Sequence, residues 1–262
     1  ILLLNFAHGD VIMVGAYICF YATSRFELPA VVGVILAVIV CTILGIVIER
    51  LAYKPLRQAG PLAVLITAIG VSYFLQNAAQ LLWGATPKNF TSLVTFPVPE
   101  FLAKYNVSAV SLVTIVACLI IMAGLVFFTG KTKMGKAMRA VSEDKAAAQL
   151  MGINVNRTIS MTFAIGSALA AIAGVLLCSY SPVLQPTTGA MPGIKAFDAA
   201  VFGGIGSIPG AFVGGILIGI IEAMAQAYIS TSLANSIVFG VLIIVLLVKP
   251  AGLLGKYVPE KV

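Results

Sequence analysis

The chain's only histidine, His8, stands in "NFAHGD", between Asn5 and Asp10. An imidazole two residues from a carboxylate is the beginning of a proton relay or of a metal site. A metal needs three or four ligands, and this neighbourhood offers one histidine and one aspartate, so no metal site is expected. A relay stays open, because ionisable groups inside a bilayer are costly and usually functional, whereas the same groups at the end of a span cost little. Two further carboxylates, Asp198 and Glu222, also fall in apolar surroundings. Lys195 precedes Asp198 by three residues, the spacing of an ion pair on a helix surface. Thr67, Ser72, Gln76 and Asn77 form a polar track in an otherwise apolar stretch. Groups lining a passage for a zwitterion would look like this, and so would ordinary interhelical hydrogen bonds. No G-x-x-x-x-G-K-[ST] phosphate loop, no HExxH and no nucleophile with a base beside it occur. The chain is therefore not expected to be an enzyme or to hydrolyse ATP itself.

The elements that must position these residues follow from composition. Of 262 residues, 60% are hydrophobic and only 10% charged, against roughly 25% charged in a soluble domain. The fold class is all-α, a polytopic transmembrane bundle in a lipid bilayer, organised as one membrane domain over 1–262. Seven apolar stretches are legible, at 9–24, 29–48, 61–83, 107–128, 158–180, 208–228 and 235–248. The net charge of +7 is gathered in particular loops, which the positive-inside rule explains without invoking nucleic acid. Arg50, Lys54 and Arg57 form one such loop, and 130–157 forms the other, so both face the cytoplasm. The basic C-terminal tail joins them only if one more crossing exists. The candidate is 191–206, "MPGIKAFDAAVFGGIG", either a short crossing or a re-entrant half-helix, giving seven to eight spans. Because the chain opens on Ile1 within an apolar pattern, a preceding segment is expected. The four cysteines lie in apolar runs with no CxxC spacing and read as small buried hydrophobes.

Two features interrupt the apolar pattern. "GGIGSIPG" holds Gly203, Gly204, Gly206, Ser207 and Pro209. Ser207 suits a helix N-cap and Pro209 the first turn that follows, so a sharp break is expected before the 208–228 helix. Broken helices offer free backbone groups near substrate paths, and a tight turn would look the same. Small residues four apart, at Gly166, Ala170 and Gly174, at Gly210 and Gly214, and at Gly215 and Gly219, predict close helix contacts. The other interruption is "SEDKAAAQLMGINVNRT", 142–158, in the more basic loop. Ser142 is expected to cap a short helix with Glu143 and Asp144 in its first turn, and Gly152 to end it. Ala147, Leu150 and Met151 then share one face.

"AAAQLMG" resembles the E-A-A-x-x-x-G loop of ABC importer permeases: Ala147, Ala148 and Gly152 match, and Ala146 replaces the usual glutamate. "LNFAHGDVIMVGAY", "RAVSEDKAAAQLMGINVNRTISMTFAIGSALAAIAGVL", "FDAAVFGGIGSIPGAFVGGILIG" and "VKPAGLLGK" are similar, in that order, to branched-chain amino acid ABC transporter permeases of the LivH-like type. The resemblance implies a multi-pass subunit of a bacterial inner membrane. It implies pairing with a second, homologous permease, two cytoplasmic ATPases that bind the ATP, and an extracytoplasmic binding protein. Leucine, isoleucine and valine are the implied cargo; urea, short amides and other amino acids are served by related permeases. It also implies that 142–152, which includes Ala148, is the helix that couples to the ATPases. Asn5, His8, Thr67, Ser72, Gln76, Asn77 and Asp198 are the candidates for the path. A proton-coupled carrier working without ATPases is the alternative, and it would make Asp198 or Glu222 essential.

Overall fold

The computed structural model describes residues 7–57, 59–92, 94 and 107–255. Asn5 lies outside the described residues. The helices run α1 His8–Ser24, α2 Ala30–Ile48, a π-helical turn Glu49–Tyr53, α3 Pro61–Trp83, α4 Ala109–Lys131, α5 Lys133–Glu143, α6 Lys145–Leu150, α7 Val155–Tyr180, α8 Ala190–Gly203, α9 Ile208–Tyr228 and α10 Ala234–Val248. Five of them, α2 with its π turn, α3, α4, α7 and α9, are long and apolar enough to cross a membrane. At 17, 14 and 15 residues, α1, α8 and α10 fall below the ~20 residues of a full crossing. Every apolar stretch read from the sequence is a helix, and 191–206 corresponds to α8. The expected seven to eight spans are thus five by length plus three shorter helices.

The chain divides into two compact units, residues 1–121 with 127–193, and residues 122–126 with 194–262. In the first, α1 is the central helix, with Met13 and Tyr17 fully buried. Its neighbours approach because small residues face each other. A Cβ at Gly174 would strike the carbonyl of Ile12, one at Gly15 the backbone of Ala171, and one at Gly45 the side chain of Ser167. In lipid such contacts, rather than hydrophobic exclusion, hold helices together. At one end Tyr17 stacks on Trp83, ring centroids 4.5 Å apart. There β1 (Lys88–Asn89) pairs antiparallel with β2 (Val183–Leu184), a small ribbon that the sequence reading did not foresee. At the opposite end the two basic loops meet, as their shared charge predicts.

In the second unit α9 and α10 pack around Ile218, Val238 and Leu242, with Ala199 and Phe202 of α8. Gly214 lies so close to α8 that a Cβ would strike the carbonyl of Ala199, whereas Gly219 faces open space.

Candidate functional site

The basic loop between α4 and α7 builds a helix pair rather than the single helix expected. Thr132 caps α5, its hydroxyl accepting from the Gly135 amide at 3.0 Å. α5 then runs on through Ser142 and Glu143. Asp144 leaves the helix in an extended conformation, and its carboxylate accepts from the amides of Ala146 (2.7 Å) and Ala147 (3.0 Å). Asp144 is therefore the cap of α6, and Ser142 is not: its hydroxyl donates to the Arg139 carbonyl at 2.7 Å, inside the last turn of α5. Likewise, Glu143 ends α5 instead of opening α6. The reason is local, since an aspartate placed two and three residues before the orphan amides satisfies both of them. Gly152 closes the loop at φ +80°, the left-handed position that favours glycine. Ala148 is buried against Val141 and Ile159. Ala147 is exposed, and Leu150 and Met151 are 89% and 82% exposed. The expected apolar face exists and points outward.

Directly beneath this loop lies a polar cluster that the sequence reading missed. Glu49, at the foot of α2, is completely buried. It is ion-paired to Arg57 and accepts from the Ser160 hydroxyl of α7 at 2.6 Å. Arg57 also donates to Asn156, in the first turn of α7. Beside them Tyr53 packs on Phe163, centroids 5.2 Å apart. The available signal was a lone glutamate closing a 19-residue apolar helix, followed at once by three cations. Those cations read as loop charges because nothing in the sequence pairs one of them with Glu49.

A second cluster lies at the start of α1. Asp10 is 1% exposed, and Gln76 of α3 donates to it at 2.9 Å while also reaching Ser72 at 3.3 Å. The polar track on α3 thus splits. Ser72 and Gln76 turn to Asp10, whereas Asn77 is exposed and donates to its own helix at the Tyr73 carbonyl, 2.7 Å. Thr67, nine residues before Gln76, lies roughly half a turn off that face at ~100° per residue. His8 is half-buried, and a Cβ at Gly166 would come within 4.0 Å of its ring. The chain entering α8 closes on the same place, because Gly9 and Gly189 meet backbone to backbone with Gly193 beside them.

In the second unit the glycine break has the geometry its residues predict. Ser207 caps α9, its hydroxyl accepting from the Gly210 amide at 3.1 Å, with Pro209 in the first turn. Gly204 and Gly206 adopt φ of +110° and +91°. Gly203 and Gly210 touch through their backbones, and Gly252 and Gly255 close over Gly204. The amides of Leu253 and Leu254 donate to the carbonyls of Phe202 and Gly203, both at 2.9 Å. The "AGLLG" motif near the C-terminus and the glycine break are therefore one structure. The expected Lys195–Asp198 pair does not form as a salt bridge. Lys195 reaches across to Glu222 of α9 at 2.6 Å, because an extended lysine finds a carboxylate on the facing helix. Asp198 stays 3% exposed, with Oδ2 lacking a hydrogen-bond partner.

A set of apolar helices, tied by small-residue contacts and carrying an exposed helix in its basic loop, defines a multi-pass membrane protein. Residues 2–247 match the family model described as "Branched-chain amino acid transport system / permease component", and the chain belongs to that family. It is 42% identical to the high-affinity branched-chain amino acid transport system permease protein LivH of Salmonella typhimurium, over 99% of this chain and 88% of that protein. Identity to the corresponding BraD protein of Pseudomonas aeruginosa is 41%, with the same coverage. The autoinducer 2 import system permease protein LsrD of Salmonella paratyphi B is more distant, 28% identical over 81% of this chain and 66% of that protein. No solved structure matches.

Proposed function

We propose that this chain is an inner-membrane permease subunit of a bacterial ABC importer that moves leucine, isoleucine and valine into the cell. The observation that carries this reading is the 42% identity to LivH along 99% of the chain. The lower identity to LsrD makes an autoinducer cargo the weaker choice. The subunit works beside a second, homologous permease, with two cytoplasmic ATPases supplying the energy and an extracytoplasmic protein delivering the amino acid. ATP belongs to the ATPases; this chain contributes the path and the coupling contact.

The exposed face of α6 supports that contact. Leu150 and Met151 are open to water at the cytoplasmic end, where uncovered apolar side chains fit a protein partner. When the ATPase pair closes on ATP, α6 is displaced and the helices behind it re-arrange, exchanging access between the two sides of the membrane.

The test is a mild-detergent pull-down of the tagged complex expressed from its own operon, with uptake of labelled leucine measured in the same cells. Wild type should bring down an ATP-binding subunit and take up leucine, and Leu150→Asp should lose both. An ATPase retained by Leu150→Asp would displace the contact while keeping the importer. If wild type brings down no ATPase, the carrier reading replaces this one, and uptake should then depend on Asp198, whose unpartnered Oδ2 is the observation favouring it.

A further inference from the structure

Between α6 and the centre of the first unit there is a route of packed side chains. Ala148 of α6 sits against Ile159 of α7, and Phe163, one turn further on, belongs both to that small core and to the core around α1 and α2. At the same level α7 is tied to the foot of α2 by polar bonds. Ser160 donates to Glu49, Arg57 is paired with Glu49, and Arg57 also holds Asn156. Glu49 has no exposure to water, so both of its oxygens depend on these partners. The backbone at this point is a π-helical turn, Glu49–Tyr53, whose wider ladder is common at functional positions in helices.

We propose that Glu49, Arg57, Ser160 and Asn156 form a clasp that makes the foot of α2 follow the first two turns of α7, so that displacement of α6 reaches the membrane helices. This rests on the importer reading above. The residues are positioning residues: they touch neither cargo nor nucleotide. A buried ion pair suits the task better than apolar packing alone, because its bonds are directional and costly to break, while apolar contacts slide. Phe163 supplies the bulk contact and the clasp fixes the register. Releasing it should leave the ATPases bound and turning over while less of their work reaches the path.

The experiment uses the complete complex in proteoliposomes, measuring leucine uptake and phosphate release together. Ser160→Ala removes one bond to Glu49, and Asn156→Ala removes the exposed end of the network without opening the core. Both should keep the co-purifying ATPase and its hydrolysis rate; Asn156→Ala should also keep the thermal midpoint, while Ser160→Ala, which takes a donor from a buried carboxylate, should lower it by a few degrees. The leucine moved per ATP should fall by roughly two- to thirtyfold, the span typical of coupling residues. Ser160→Thr, which retains the hydroxyl, should restore the ratio. Uptake and hydrolysis falling in parallel with the thermal midpoint would reduce the clasp to a structural brace and overturn the proposal, and so would an unchanged ratio in both alanine variants. If wild type carries no ATPase, the importer reading itself fails and this inference falls with it; a working wild type with insensitive variants sinks the clasp alone.

Discussion

Gln76 and Asp10, on helices α3 and α1, are joined by a 2.9 Å bond from the Gln76 amide to a carboxylate that is 1% exposed. Ser72 also reaches that carboxylate. Gln76→Leu should leave it short of a donor at a cost of about 1–3 kcal/mol. For a chain of this size each kcal/mol is worth about 2–4 °C, so a thermal scan in detergent reads the loss directly. Asn77→Leu, which disturbs only a bond to its own helix, should shift the midpoint far less.

The Lys195–Glu222 bridge gives a second expectation. Both side chains are about a quarter exposed, at 24% and 23%. Partial screening therefore limits the pair to about 1 kcal/mol of coupling in a double-mutant cycle with Lys195→Met and Glu222→Gln. A cycle of Lys195→Met with Asp198→Asn should give a smaller coupling. The reverse order would restore the same-helix pairing that residue spacing alone implies.

Glycines in the second unit should divide sharply on replacement by alanine. At Gly204 a Cβ meets the backbone of Gly255, and the φ of +110° is foreign to an L-residue, so Gly204→Ala should abolish folded yield. Gly206→Ala faces open space and bears only the backbone strain, about 1–2 kcal/mol. Gly219→Ala, with nothing within 4 Å, should raise the thermal midpoint, since alanine is about 1 kcal/mol better in a helix. Yields after size-exclusion chromatography and thermal midpoints test the series.

The cap of α6 separates two neighbouring residues. Asp144→Ala should cost the helix about 1 kcal/mol and speed hydrogen exchange at the Ala146 and Ala147 amides. Ser142→Ala, which touches neither amide, should leave that exchange unchanged.

The helices were legible because a bilayer admits little else. α2, α3 and α9 begin and end within a residue or two of the apolar runs that announce them. Ser207 and Gly152 were legible because one local rule governs each. Three acceptors in a row, Ser142, Glu143 and Asp144, defeated the same kind of rule: which one caps depends on how far α5 continues, and α5 continues through Glu143. Glu49 went unnoticed, and Lys195 was placed as half of a local pair, because Ser160 and Glu222 lie on other helices. Sequence spacing carries information along one helix and little between two, and the bonds Gln76–Asp10, Ser160–Glu49 and Lys195–Glu222 each join two helical elements.

The carbonyls at the end of α8 are satisfied by the amides of Leu253 and Leu254. During synthesis those amides emerge only after α9 and α10 have both left the ribosome. Until then the glycine break has unmatched carbonyls and no cover over Gly204, so the second unit reaches its final form only after α10 has been made. A chain stopped before Gly252 should enter the membrane with all of its helices and still present an unfinished turn to the cell's quality-control proteases.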